Sequence, residues 1–138
     1  MRSFARGVVA VLAGLVVLTV LSFALEALAN ALLGGALSES MADQPPSGHT
    51  VPVRLLSLAL TLASVAAGGY VTAWIAGRGK ATRHALILGI MEVVMTVGAM
   101  LVMGNAAPLW SWIAAIVLII PAAWLGGRVR SRATTSAP

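Results

Sequence analysis

Four stretches of the chain are continuously apolar and are separated by short polar punctuation. The first runs from Gly7 to Leu25 without a charge, and its helical pattern continues through Glu26 and Asn30 to Gly34 and Gly35. The second runs from Leu55 to Ala76, the third from Ala85 to Met103 and the fourth from Leu109 to Leu125. Only the third contains a charge, Glu92. Each falls within the roughly 17–25 residues that a helix needs to cross a hydrocarbon core about 30 Å thick. In lipid every backbone amide must be satisfied inside its own element, so these runs predict helices. The alternation of a membrane β-strand is absent. The expected fold is all-α: one transmembrane domain, a four-helix bundle with helices at about residues 7–35, 54–77, 84–104 and 107–127. A polar loop at about 37–52 and a basic tail at 128–138 complete it.

The connectors agree with this division. Asp43-Gln44-Pro45-Pro46-Ser47-Gly48 is a turn-rich polar loop. Gly77-Arg78-Gly79-Lys80 reads as a glycine cap followed by cations, a helix stop. Gly104-Asn105 with Pro108 makes a hairpin, Pro108 opening the fourth helix.

Charge then orients the bundle. With the N-terminus inside, Arg2, Arg6, Arg78, Lys80, Arg83, Arg128, Arg130 and Arg132 all fall on the cytoplasmic side, and only Arg54 falls outside. This positive-inside pattern predicts N-in and C-in, with a short cytoplasmic middle loop and a longer outer first loop. Trp110 and Trp112 begin the fourth helix outside, while Trp74 and Trp124 end the second and fourth inside, as interface anchors. The net charge of +5 therefore points to lipid headgroups, not nucleic acid. Arg2, Arg6 and Ala27-Leu28-Ala29 imitate a signal peptide, but the apolar run exceeds a signal core, so an uncleaved first span is expected.

Composition narrows the classes further. Hydrophobic residues make up 59% and charged residues 9%, against about 25% charged in soluble domains. A soluble globular fold and a disordered chain are both excluded. The absence of cysteine removes disulfides, thiolate metal sites, iron–sulfur clusters and thiol nucleophiles.

Ala73-Trp74-Ile75-Ala76-Gly77-Arg78 reads like Ala123-Trp124-Leu125-Gly126-Gly127-Arg128. A duplicated hairpin would explain this, since transporters do carry parallel repeats. The first and third helices show no matching similarity, which favours one interface solution used twice: Trp, glycine cap and basic anchor.

Gly68-Gly69-Tyr70 with Ala76-Gly77-Arg78, His84-Ala85-Leu86 with Gly89, Pro108-Leu109-Trp110, and Pro121 through Arg128 carry a resemblance. Together they resemble a widespread group of small four-span bacterial inner-membrane proteins, in which a Glu commonly ends the first helix, as Glu26 does here. The resemblance implies a bacterial inner membrane and four helices. It implies no activity and supplies no catalytic residues.

Ionisable groups inside a membrane are functional candidates by default. Counting at 1.5 Å per residue, Glu26 lies about 28 Å from the inner edge and Glu92 about 12 Å, so they do not form a carboxylate pair. Thr19, Ser22, Glu26 and Asn30 share one helix face. Arg54, at matching outer depth, offers Glu26 an ion-pair partner; the rival reading is a ligand or cation site open to the outside. Glu92 has no cation at its depth. Its neighbours by depth are Tyr70, Thr72 and Pro121, the last freeing the carbonyl of Val117. Two roles are open to it: a hydrogen bond between helices, or a proton or cation carrier site.

Ser64, Gly68, Thr72 and Ala76 recur every four residues beside Ala59, Ala63 and Ala67. Small residues at that spacing let helices approach closely in lipid, so the second helix is expected to be central or to form an oligomer face. His84 is expected to face headgroups. His84 and His49 are isolated and no cysteine offers an axial ligand, so no haem or other cofactor is expected. Met91, Met95, Met100 and Met103 read as packing, not copper ligands. No HExxH helix, GxSxG elbow or Walker loop occurs. The leading expectation is a non-enzymatic membrane protein: an accessory, assembly or stabilising subunit with a membrane-protein partner or a second copy. The alternative is a small transporter or channel using Glu92 or Glu26.

Overall fold

The computed structural model describes residues 2–33, 51–77, 79–104 and 107–133. Among these, the chain forms four α-helices: α1 (Arg2–Leu32), α2 (Val51–Ala76), α3 (Ala81–Met103) and α4 (Leu109–Ala133). All four are long and apolar enough to cross a membrane. Gly34-Gly35, the expected polar loop with Glu39, Asp43 and His49, Arg78, Asn105 and the last residues of the tail lie outside the described residues.

α2 packs against all three other helices, most extensively against α1 and α4. α3 packs on α4 and α2 and meets α1 lightly, while α1 and α4 barely touch. The interior is narrow. Ala10, Val65, Ala85, Leu88, Ile119 and Ala123 are buried, whereas Leu32, Leu101 and Val102 are more than three-quarters exposed. A large apolar exterior around a small-residue interior is the arrangement expected in lipid, where burial of apolar area drives nothing and close packing holds helices together.

Glycines set the approach distances. The built Cβ position of Gly68 lies 2.8 Å from the carbonyl oxygen of Gly14, and the Thr72 hydroxyl occupies the Cβ position that Gly14 lacks. A Cβ on Gly69 would meet the Ala123 carbonyl at 2.5 Å, and one on Gly126 would overlap the Ala66 carbonyl. Between α3 and α4, a Cβ on Gly89 would lie 2.9 Å from the Ala123 methyl and one on Gly127 would lie 2.7 Å from the Ala85 methyl. Any larger residue at these points would push two helices apart.

Several boundaries differ from the sequence expectation. α2 begins at Val51, so Pro52 sits in its first turn, where a missing N–H costs nothing. α3 begins at Ala81 and α4 runs to Ala133, turning the first half of the expected basic tail into helix. The two similar Trp-and-glycine segments also diverge. Gly77 has φ +82° and ends α2, with its N–H bonded to the Ala73 carbonyl at 3.2 Å. Gly126 and Gly127 are not a cap: both stay helical, because their missing side chains admit α2 and α3.

Candidate functional site

The stripe Ala85, Leu88, Glu92 and Thr96, spaced by three and four residues, lies on one face of α3. Ala85 and Leu88 are fully buried, and Glu92 and Thr96 continue that face half-buried. Glu92 therefore faces the bundle rather than the surrounding lipid. It makes no hydrogen bond among the described residues.

The structure does not gather the expected partners around it. Thr72 is fully buried, but its hydroxyl is lodged against Gly14 of α1 and has no hydrogen-bond partner among the described residues. Tyr70, two residues earlier, points about 200° away around the helix and is 38% exposed. Pro121 lies on an exposed face of α4. Matching depth brought these residues to one level; their azimuths separate them.

Glu26 and Arg54 are likewise not joined by an ion pair. Glu26 sits half-buried on the α1 stripe with Ser22 and Asn30, while Thr19 is exposed. Arg54 lines a cleft of about 210 Å³ between α2, α3 and α4, with Ser57, Thr61, Thr96, Ser111 and Trp112 among its walls. The Thr61 hydroxyl donates to the Ser57 carbonyl at 3.0 Å and the Ser111 hydroxyl to the Pro108 carbonyl at 2.7 Å. The indole N–H of Trp112 is enclosed without a hydrogen-bond partner among the described residues. Half-buried, Trp112 lines the cleft, whereas Trp110 is exposed.

This polar cleft was missed from sequence, although a signal existed. Arg54, Ser57 and Thr61 follow three- and four-residue spacing, and Thr96 lies one turn from Glu92. A second missed feature is the small stripe Gly7, Ala10 and Gly14 on α1, all buried. On α2, Ser64, Gly68 and Thr72 are buried, Ala76 is half-buried, and the Ser64 hydroxyl bonds back to the Leu60 carbonyl at 3.0 Å.

At the basic end, Trp74 is 61% exposed, and the Arg128 guanidinium lies 4.6 Å from the centre of the Trp124 ring. Trp110 is also exposed. Arg6 donates from Nε to the Ile75 carbonyl at 2.8 Å, placing a cation at the C-terminus of α2. His84 does not simply face headgroups. Its Nδ1 lies 2.9 Å from the Lys80 carbonyl oxygen, and its Nε2 packs on Gly7 of α1.

Among the described residues, no group of three or more His, Cys, Asp or Glu could hold a metal ion. The site offers one isolated carboxyl and a hydroxyl-lined cleft. No protein-family model, curated protein or solved structure matches the chain.

Proposed function

We propose that the protein is a non-enzymatic, multi-pass protein of a bacterial inner membrane, with both termini cytoplasmic, acting as an accessory, assembly or stabilising subunit of a membrane complex. The observation that carries this reading is the interlocked packing of the half nearest the basic end. Gly14 with Thr72, Gly69 with Ala123, Gly126 with Ala66 and Gly127 with Ala85 bring three helix pairs, α1–α2, α2–α4 and α3–α4, into close contact. A transport path would have to part several of these seams at once, whereas a subunit uses a firm body and leaves its exposed apolar flanks to a partner. Copurification from native membranes under mild detergent tests it. A stoichiometric membrane-protein partner is the expected result. A homo-oligomer that carries a bound small molecule and lacks any partner would reject it.

One observation favours a transporter as the second reading: Glu92 faces the bundle one turn from Thr96, which lines the polar cleft. Under the leading reading, Glu92→Gln and Glu92→Leu both leave folding nearly intact, because Glu92 makes no hydrogen bond to another helix among the described residues. Under the second, Glu92→Gln abolishes proton or cation flux in proteoliposomes while the fold survives. The eight-to-one placement of basic residues argues against a dual-topology antiparallel dimer.

A further inference from the structure

α1 and α3 meet where the His84 ring packs on Gly7; a Cβ there would lie 2.6 Å from Nε2. Alongside this contact is a cleft of about 380 Å³, walled by Val8, Val11 and Leu12 from α1 and by Ile87 and Met91 from α3. That volume falls in the range of small-molecule sites, roughly 300–1,000 Å³. Apart from His84, the side chains lining it are apolar. Val8, Leu12, Ile87 and Met91 are each at least 40% exposed, so the cleft opens on the flank of the bundle, toward the acyl chains of a surrounding membrane.

One end of the cleft is cationic. Lys80, His84, Ile87 and Met91 follow a spacing of four, three and four residues, so the same stripe that walls the cleft begins at Lys80. Lys80 and Arg83 are exposed at that end. The hydrogen bond at the Lys80 carbonyl holds the His84 ring across the gap to α1. Arg6 sits at the same end, on the α2 terminus. An apolar slot with cations at its mouth is complementary to an acyl chain bearing an anionic phosphodiester. An apolar helix of another protein would make no use of the cations, and a zwitterionic lipid would gain little from them.

We propose that the α1–α3 cleft is a binding site for one anionic phospholipid, its acyl chain between Val8, Val11, Leu12, Ile87 and Met91 and its phosphate held by Lys80 and Arg83. Native mass spectrometry of the purified protein, titrated with dioleoyl phosphatidylglycerol or dioleoyl phosphatidylcholine, tests this. The expected result is a single-lipid adduct that saturates at several-fold lower phosphatidylglycerol than phosphatidylcholine. Lys80→Gln with Arg83→Gln lowers the phosphatidylglycerol affinity at least ten-fold, since each cation is worth about five-fold near an anionic headgroup. Leu12→Trp, which fills the slot and leaves the cations in place, also removes the adduct, whereas Val20→Trp, exposed elsewhere on α1, does not. Millimolar inorganic phosphate fails to displace the lipid. Circular dichroism and monodispersity establish that each variant is folded, and the charge pair alone carries the test if Leu12→Trp is not. Equal binding of the two lipids overturns the proposal. So does displacement by phosphate alone, or a Leu12→Trp protein that keeps its lipid but loses a dimer, which would put a second copy in the cleft.

Discussion

Glycine does two jobs in this protein, and substitution separates them. A Cβ on Gly126 would run into the Ala66 carbonyl and lie 3.0 Å from the Tyr70 amide nitrogen, both backbone atoms that cannot yield without moving α2. Gly126→Ala should therefore cost about 1–3 kcal/mol, the usual penalty for overpacking. Gly98 has nothing within 4 Å of its built Cβ, so Gly98→Ala should gain about 0.5–1 kcal/mol from helix entropy. Denaturant or thermal unfolding in one detergent compares the two; equal responses would mean that the α2–α4 seam is softer than its geometry indicates. Trp112 offers a polar counterpart. Its enclosed N–H has no hydrogen-bond partner among the described residues, so Trp112→Phe discards a desolvated donor while keeping most of the ring's packing. Stability should stay within about 1 kcal/mol of the parent.

At the scale of elements, α2 and α4 carry similar ends that behave differently. Gly77 adopts φ +82° and stops α2. Gly127 keeps α4 helical and lies against Ala85. Gly77→Ala should cost about 1–2 kcal/mol from the left-handed backbone alone. Arg6 closes the same terminus from another helix, so Arg6→Ala should also lower stability, by about 1 kcal/mol, through loss of its bond to the Ile75 carbonyl and of a cation at a helix C-terminus. Unfolding of the double variant checks that both act at one place: a combined loss equal to the plain sum would show the cap and the cation to be independent.

At the scale of the whole molecule, a narrow, glycine-seamed interior carries a broad apolar exterior, with cations gathered at one end of the bundle. If the positive-inside pattern sets the insertion, thiol labelling of intact cells should modify Ser47→Cys and spare Lys80→Cys, with no native cysteine to interfere. Labelling of Ser47→Cys only after lysis would invert the topology. It would also move the proposed lipid site to the outer leaflet.

The sequence by itself determined the four helices among the described residues, their membrane-spanning length and the distribution of charge, because these depend on hydrophobic run length and on backbone hydrogen bonds that each helix satisfies alone. It also carried the small-residue ridge of α2, since four-residue periodicity is a property of a single helix. Contacts between helices needed the tertiary structure. Depth can be counted along a chain, but azimuth depends on how each helix is rotated against its neighbours. Glu92, Tyr70, Thr72 and Pro121 share a level and still point apart, and Arg54 turns toward Ser57, Thr96 and Trp112 instead of Glu26. The two glycine-bearing helix ends were indistinguishable as sequence. Only the presence of α2 and α3 beside Gly126 and Gly127 decided that those glycines continue a helix while Gly77 ends one.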